Sequence, residues 1–141
     1  MKLDLSALRD ALAALEKSLR FLNSELASDP DLREQFRAAS IQAFEFTYEV
    51  TYKMLKRQLE QISANPGEVD QMTYMQLIRS VAEAGLVPDV PRFRDYRDKR
   101  NITSHTYNQE KAESIVAVLP AFAADARFIL AELERRNREP G

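Results

Sequence analysis

The chain has 141 residues, of which 45% are hydrophobic and 30% charged, and its formal net charge is -2. This length fits one domain with a single core, and the composition excludes a disordered or collagen-like chain. The absence of cysteine excludes disulfides, cysteine-ligated zinc and thiol nucleophiles. Because the net charge is close to zero, any anion-binding site must come from a local cluster of cations.

The sequence shows no targeting or membrane signal. The N-terminus has no apolar run followed by a cleavage site, and no stretch approaches the ~20 apolar residues that a membrane helix needs. We therefore expect a cytoplasmic protein that has no membrane partner.

Two long helices are predicted in the first half of the chain. Over residues 4–27 the leucines recur at alternating steps of three and four, which marks one apolar face of a helix. Asp29 and Pro30 suit the cap and first turn of a second helix over residues 30–64, which Asn65-Pro66-Gly67 ends. The leucine repeat could form a coiled coil, but matching stripes on the other helices favour a bundle.

The second half of the chain predicts three further helices. A capping-box spacing opens a short helix over residues 73–84, and a charge-rich helix follows over residues 90–104. A fifth helix is predicted over residues 109–137, with a kink at Pro120 inside it.

These elements predict an all-α fold. We expect one domain over residues 1–141, built as an antiparallel up-and-down bundle of four or five helices. The polar tail, about residues 136–141, is expected to be disordered.

A basic segment precedes the predicted end of the fourth helix. Residues 92–100 contain five cations, two anions and two aromatic residues. Guanidinium groups can bind a phosphate and aromatic rings can stack on bases, which makes Arg94, Arg97 and Lys99 candidate RNA- or phosphate-binding residues. The alternative is a solvated helix face with Asp–Arg pairs.

Two other groups of side chains could carry chemistry. His105 is the only histidine, and a neutral imidazole is the usual proton shuttle, although a single histidine is more often structural. On the second helix Glu45, Glu49 and Lys53 share one face at spacings of four. They form either an ordinary surface ion pair or a support in which one glutamate orients Arg100 or His105 across the bundle.

The spacing between Arg100 and His105 limits how the two can act together. Asn101 and His105 lie on one helical face, whereas Arg100 and His105 are about 140° apart around a regular helix. Either the helix is distorted near Thr103-Ser104, or the site is shared between two chains of a symmetric dimer, which would supply an acid and a base. Tyr107 alone would be a packing residue with a hydrated hydroxyl.

The segment Arg100-Asn101-Ile102-Thr103-Ser104-His105-Thr106-Tyr107 fits the pattern R-x4-H-x-Y. Together with Phe44-Glu45-Phe46-Thr47-Tyr48-Glu49-Val50 and the basic fourth helix, it resembles the HEPN superfamily. The resemblance is to its nucleotidyltransferase substrate-binding, HepT-like toxin branch, and it extends from about residue 19 to residue 133.

The resemblance implies a homodimeric helical bundle that cleaves RNA without a metal or other cofactor. Arg100 would hold and polarise the scissile phosphate, His105 would act as general base or acid, and Asn101 would position it. A cognate minimal nucleotidyltransferase would silence this toxin by using ATP to adenylylate Tyr107, adding charge and bulk at the site. The alternatives are a non-catalytic nucleotide- or substrate-binding subunit of a two-component nucleotidyltransferase, and a dimeric bundle whose motif is vestigial.

Overall fold

The structure, a computed structural model that describes residues 2–138, consists of helices joined by short links. Its α-helices are α1 (Ser6–Leu22), α2 (Pro30–Ile62), α3 (Tyr74–Glu83), α4 (Val90–Asn101), α5 (Gln109–Val116) and α6 (Leu119–Arg138). Short 3-10 turns lie at Glu25–Ser28, Pro66–Gln71 and Thr103–His105. The predicted all-α class is confirmed.

Helices α1 and α2 form an antiparallel pair. Near the link the Phe21 ring stacks on Phe36, with centroids 5.3 Å apart. Farther from the link the Thr47 hydroxyl donates to the Ala11 carbonyl at 3.1 Å. A residue near the end of α1 thus contacts the start of α2, and a residue nearer the start of α1 contacts the middle of α2. The two helices therefore run in opposite directions, as predicted.

The first helix ends at Leu22, earlier than the leucine repeat predicted. Its last turn is closed by Asn23 and Ser24, whose side chains and backbone N–H groups both bind carbonyl groups of that turn. The Asn23 amide donates to the Leu19 carbonyl at 2.9 Å, and the Ser24 hydroxyl donates to the Phe21 carbonyl at 2.7 Å. Short polar side chains compete in this way with continued helix, which explains the early end.

The predicted fifth helix is divided into α5 and α6. Helix α5 ends at Val116, and α6 begins at Leu119 with Pro120 in its first turn. At that position the missing N–H of proline costs nothing, since the first helical N–H groups have no intrahelical partner. The kink predicted at Pro120 is therefore a break between two helices.

Helix α6 holds the centre of the core and fixes α4 beside it. The Phe122 ring packs edge-on against Phe44 and Tyr96, at centroid distances of 4.9 and 5.1 Å. Next to it the buried Asp125 carboxylate accepts two hydrogen bonds from Arg92, both at 2.8 Å, and one from the Tyr96 hydroxyl at 2.6 Å. These contacts set the position of α4, which carries the basic segment.

Helix α6 continues to Arg138, so it includes the first residues of the stretch, about 136–141, that the sequence predicted to be disordered. Asn137 anchors this end, because its side chain accepts from the Leu3 N–H at 3.0 Å and donates to Gln58 at 2.9 Å. Residues 139–141 lie outside the described residues.

The stretch Gln109–Arg138 is long and apolar enough, by length and composition, to cross a membrane. This departs from the expectation that no stretch would qualify. It is weak support for a membrane span, because the core helix of a soluble protein meets the same test. Here the apolar face of α6 is buried in the core along Leu119, Phe122, Ala126, Ile129 and Leu133.

Candidate functional site

One face of α2 supplies most of the site's support. Glu45, Tyr48, Glu49 and Tyr52 are spaced by three and four residues, so they lie on the same side of the helix. That side meets the end of α4 and the start of α3, as the contacts below show. A single helix therefore places two carboxylates and two phenol rings along the basic segment.

Helix α4 ends at Asn101, and the chain turns as a 3-10 helix at Thr103–His105. The buried Thr103 hydroxyl donates a short hydrogen bond to Glu45 and also lies 2.9 Å from the Arg100 carbonyl. The regular helix is thus interrupted between Arg100 and His105, which is the distortion that the sequence offered as one of two alternatives.

Glu49 binds the side chain of Arg100. The Arg100 Nε donates to Glu49 Oε1 at 2.7 Å, and Nη2 lies 2.7 Å from the same oxygen. The two side chains are 36% and 53% exposed, and exposed pairs contribute only about 0–1 kcal/mol to stability. The contact therefore matters more for the direction of the guanidinium, whose Nη1 atom has no hydrogen-bond partner among residues 2–138 and can donate to a phosphate.

A cavity of about 430 Å³ opens beside Arg100. We call it the tyrosine pocket, and it is lined by Tyr48, Glu49, Tyr52, Tyr74, Arg97, Arg100 and Asn101. The Tyr52 and Tyr74 rings stack at 5.6 Å with 17° between their planes, and the Arg97 guanidinium lies 4.9 Å from the Tyr74 centroid. Helices α2, α3 and α4 each contribute to this pocket.

Burial changes the acidity of two of the tyrosines. It raises the pKa of Tyr48 to about 12 and raises the pKa of Tyr74 further. The Tyr74 hydroxyl also donates to the Phe93 carbonyl at 3.1 Å. Both phenols therefore stay protonated at neutral pH, and the charged groups of the lining are two arginines and one glutamate.

His105 and Tyr107 lie beyond the helix end and outside the pocket lining. Their rings face each other at a tilt of 66°, with centroids 6.3 Å apart. His105 is exposed, and Tyr107 is 87% exposed. The structure brings Arg100 and Asn101 together in the pocket lining and leaves the imidazole and the phenol outside that lining.

The remaining predicted residues are placed as follows. Lys99 pairs with Asp95 at 3.0 Å on α4, and Arg94 is exposed. Lys53 is exposed as well, and within residues 2–138 it pairs with neither Glu45 nor Glu49. The surface Glu–Lys pair considered from the sequence is therefore not formed.

The two aromatic residues of the basic segment are not available to a base. Phe93 and Tyr96 are 2% and 1% exposed and pack against each other in the core. The aromatic wall is formed instead by Tyr48, Tyr52 and Tyr74, which sequence reasoning missed. The spacing of Tyr48 and Tyr52 around Glu49 was the available signal, but Tyr74 joins them only through tertiary packing.

Comparison with known proteins places the chain in a family. Residues 3–135 match the model of the family described as nucleotidyltransferase substrate binding protein like. The chain belongs to that family. The match covers nearly all of the helical core and the whole of the tyrosine pocket, so the predicted family is confirmed.

Relatives of the nucleotidyltransferase substrate-binding family agree in sequence and in fold. The chain is 36% identical over 140 residues to a protein of Haemophilus influenzae named probable ribonuclease HepT, covering 97% of this chain and 96% of the relative. A solved Haemophilus influenzae structure, described as the fold of a substrate binding domain of a nucleotidyltransferase, superposes with a TM-score of 0.88. It is 34% identical and covers 93% of this chain and 99% of that one.

A solved structure from Thermus thermophilus is also similar. Its TM-score is 0.72 and its identity 30%, with 89% of this chain and 98% of that chain covered. The helical fold is thus shared over nearly the full length of each neighbour.

Proposed function

We propose that this protein is a metal-independent ribonuclease of the HEPN toxin type, held inactive by a cognate nucleotidyltransferase that adenylylates Tyr107. The observation that supports the proposal most is the arrangement of residues at the end of α4. Arg100 and Asn101 line a cationic pocket, and the exposed His105 and Tyr107 follow a few residues farther along the chain. The name of the Haemophilus relative supports the same activity.

In the proposed reaction Arg100 binds the scissile phosphate through the donors that Glu49 leaves free. A 2′-hydroxyl oxygen of RNA attacks the phosphorus, its proton passes to one imidazole, and the bond to the 5′ oxygen breaks as that oxygen takes a proton. The products are a 2′,3′-cyclic phosphate and a 5′-hydroxyl. Asn101 is proposed to orient His105.

One chain offers one imidazole, whereas the reaction uses a base and an acid. We therefore propose a homodimer in which two His105 side chains face a shared cleft, one as base and one as acid. The exposure of His105 and its position outside the pocket lining support a site that is completed by a second copy.

Tyr107 is the proposed site of control. Its phenol is 87% exposed, so an enzyme can reach it without unfolding this protein. Attack of the phenol oxygen on the α-phosphorus of ATP would form the bond to AMP and release pyrophosphate and the phenol proton. The AMP group would add negative charge and bulk beside His105, and both effects would exclude RNA from the cleft. In this scheme ATP is the substrate of the nucleotidyltransferase. We propose that the protein itself needs no cofactor and that it acts in the cytoplasm.

The test is expression in bacteria without the partner. Wild type should arrest growth and degrade RNA, whereas His105→Ala and Arg100→Ala should do neither at equal protein levels. Purified wild type should cleave RNA in the presence of a chelator. Intact RNA and normal growth with well-folded wild type would overturn the ribonuclease proposal.

Co-expression with the nucleotidyltransferase tests the control. Mass spectrometry should show added AMP on the peptide that contains Tyr107, and Tyr107→Phe should remain toxic in the presence of the partner. Tyr52→Phe is the matched control, because it removes a phenol hydroxyl elsewhere in the molecule. AMP found on another residue would refute the assignment to Tyr107.

The second candidate is a non-catalytic nucleotide- or substrate-binding subunit of a two-component nucleotidyltransferase. The family description, which names substrate binding, favours it, and so does the tyrosine pocket, whose size and lining fit a nucleotide. Under this alternative wild type is harmless when expressed alone and raises the affinity of the nucleotidyltransferase for its substrate.

A further inference from the structure

We propose that the tyrosine pocket binds the nucleobase next to the phosphate held by Arg100, with Tyr52 and Arg97 as its stacking partners. This inference rests on the proposed ribonuclease function, because its ligand is single-stranded RNA. It names a base-binding subsite that lies apart from His105 and Tyr107.

The position of Arg100 connects the phosphate to the pocket. Its side chain belongs to the pocket lining, while Glu49 fixes its Nε and Nη2 atoms on one side. A phosphate bound to the remaining donors would therefore adjoin the pocket, because Arg100 belongs to its lining. The covalent geometry of a nucleotide then leaves its base within reach of the pocket wall.

The wall has the chemistry that a base requires. Tyr52 and Tyr74 are only partly buried, and their nearly parallel rings stack on each other with centroids 5.6 Å apart, so the opposite face of Tyr52 is the one on which a base would stack. The planar guanidinium of Arg97, which is exposed, lies over the Tyr74 ring at 4.9 Å. Flat aromatic and guanidinium surfaces bind bases of any sequence, because every base has a π-face.

Size and charge also fit a nucleotide. About 430 Å³ lies within the usual range of small-molecule pockets, which is roughly 300–1,000 Å³. The lining contains two arginines and one glutamate, so it favours a ligand with a negative phosphate. Burial raises the pKa of Tyr48 and of Tyr74, so these two phenols carry no charge at neutral pH. Phe93 and Tyr96 are buried and cannot take this role.

The test measures RNA binding in a background that does not cleave. His105→Ala protein is titrated with a labelled single-stranded RNA and with the same RNA carrying abasic sites, and binding is followed by fluorescence anisotropy. Adding Tyr52→Ala should weaken binding of the intact RNA by about 5- to 150-fold, the usual value of one base–aromatic stack. Binding of the abasic RNA should be weak and unchanged.

Two variants serve as controls. Tyr52→Phe keeps the ring and should bind the intact RNA within about twofold of the background. Phe128→Ala removes an aromatic ring that is 43% exposed on α6 and lies outside the pocket lining, and it should have no effect. The inference is overturned if Tyr52→Ala binds intact RNA like the background, or weakens intact and abasic RNA equally.

A second measurement needs no pocket variant. An RNA with 2-aminopurine at each position in turn should show fluorescence quenching by the His105→Ala protein at the position that stacks in the pocket. Absence of quenching at every position overturns the inference. If wild type cleaves RNA but the Tyr52→Ala titration or the 2-aminopurine quenching is negative, only the pocket assignment fails. If the background binds no RNA and wild type cleaves none, the proposed function fails with it.

Discussion

The substitution Tyr96→Phe isolates one buried hydrogen bond between α4 and α6. It removes the hydroxyl that donates to Asp125 at 2.6 Å, while the carboxylate keeps its two bonds from Arg92. The ring keeps its edge-on contacts with Phe93 and Phe122. A hydrogen bond to a charged group contributes about 1.5–3 kcal/mol, so the free energy of unfolding should fall by about 2 kcal/mol.

For a chain of this length the entropy of unfolding is about 0.3 kcal/mol/K, so the expected loss in Tm is about 7 °C. Urea unfolding and calorimetry would measure both quantities. Tyr74→Phe is the matched control, because its hydroxyl donates to a neutral carbonyl, that of Phe93, at 3.1 Å. It should cost about 1 kcal/mol. If Tyr74→Phe costs as much as Tyr96→Phe, the charge of Asp125 is not what strengthens the bond.

Three further outcomes are expected. Glu49→Gln should change the free energy of unfolding by less than about 1 kcal/mol, because the Glu49–Arg100 pair is exposed. It should nevertheless slow single-turnover RNA cleavage at least about tenfold, because it releases the Arg100 side chain. Unchanged cleavage would contradict the orienting role of Glu49. Gly85→Ala should lower the stability by about 1–2 kcal/mol in urea unfolding, because Gly85 has a φ of 83°; an unchanged urea midpoint would contradict that reasoning. The free energy of unfolding should fall as the pH rises above about 10. The pKa values of Tyr48 and Tyr74 are higher in the folded chain than in the unfolded chain, so the unfolded chain loses these protons first. Urea midpoints near pH 9 and pH 11 measure this effect, and equal midpoints would show that these phenols ionise alike in both states.

Local sequence signals predicted the helices well because periodicity and capping act over a few residues. Asp29 caps α2 and Thr73 forms the capping box of α3, both as predicted. Errors occur where a side chain competes with the helix, as Asn23 does at the end of α1. The division at Pro120 is a similar case, since proline fits a first turn as well as a kink.

The candidate site was only partly predictable, because it depends on contacts between residues far apart in the chain. The sequence offered a contact between a glutamate of α2 and Arg100 or His105 as one alternative. Because Glu49 and Arg100 are 51 positions apart, only the packing of α4 on α2 selects this pair. Thr103, which joins the end of α4 to Glu45, has no distinctive sequence signal. The interruption of the helix near Thr103 was one of the two alternatives that the sequence offered, since a regular helix separates Arg100 from His105.

The length of α2 has a consequence for how this protein can vary. Its 33 residues form one uninterrupted rod of about 50 Å, and Glu45, Tyr48, Glu49 and Tyr52 all lie on that rod in a single register. One residue inserted before Glu45 would rotate the N-terminal half by about 100° against these four side chains, so core and site could not both be kept. Insertions and deletions should therefore be tolerated in the links on either side of α2 and rejected within it.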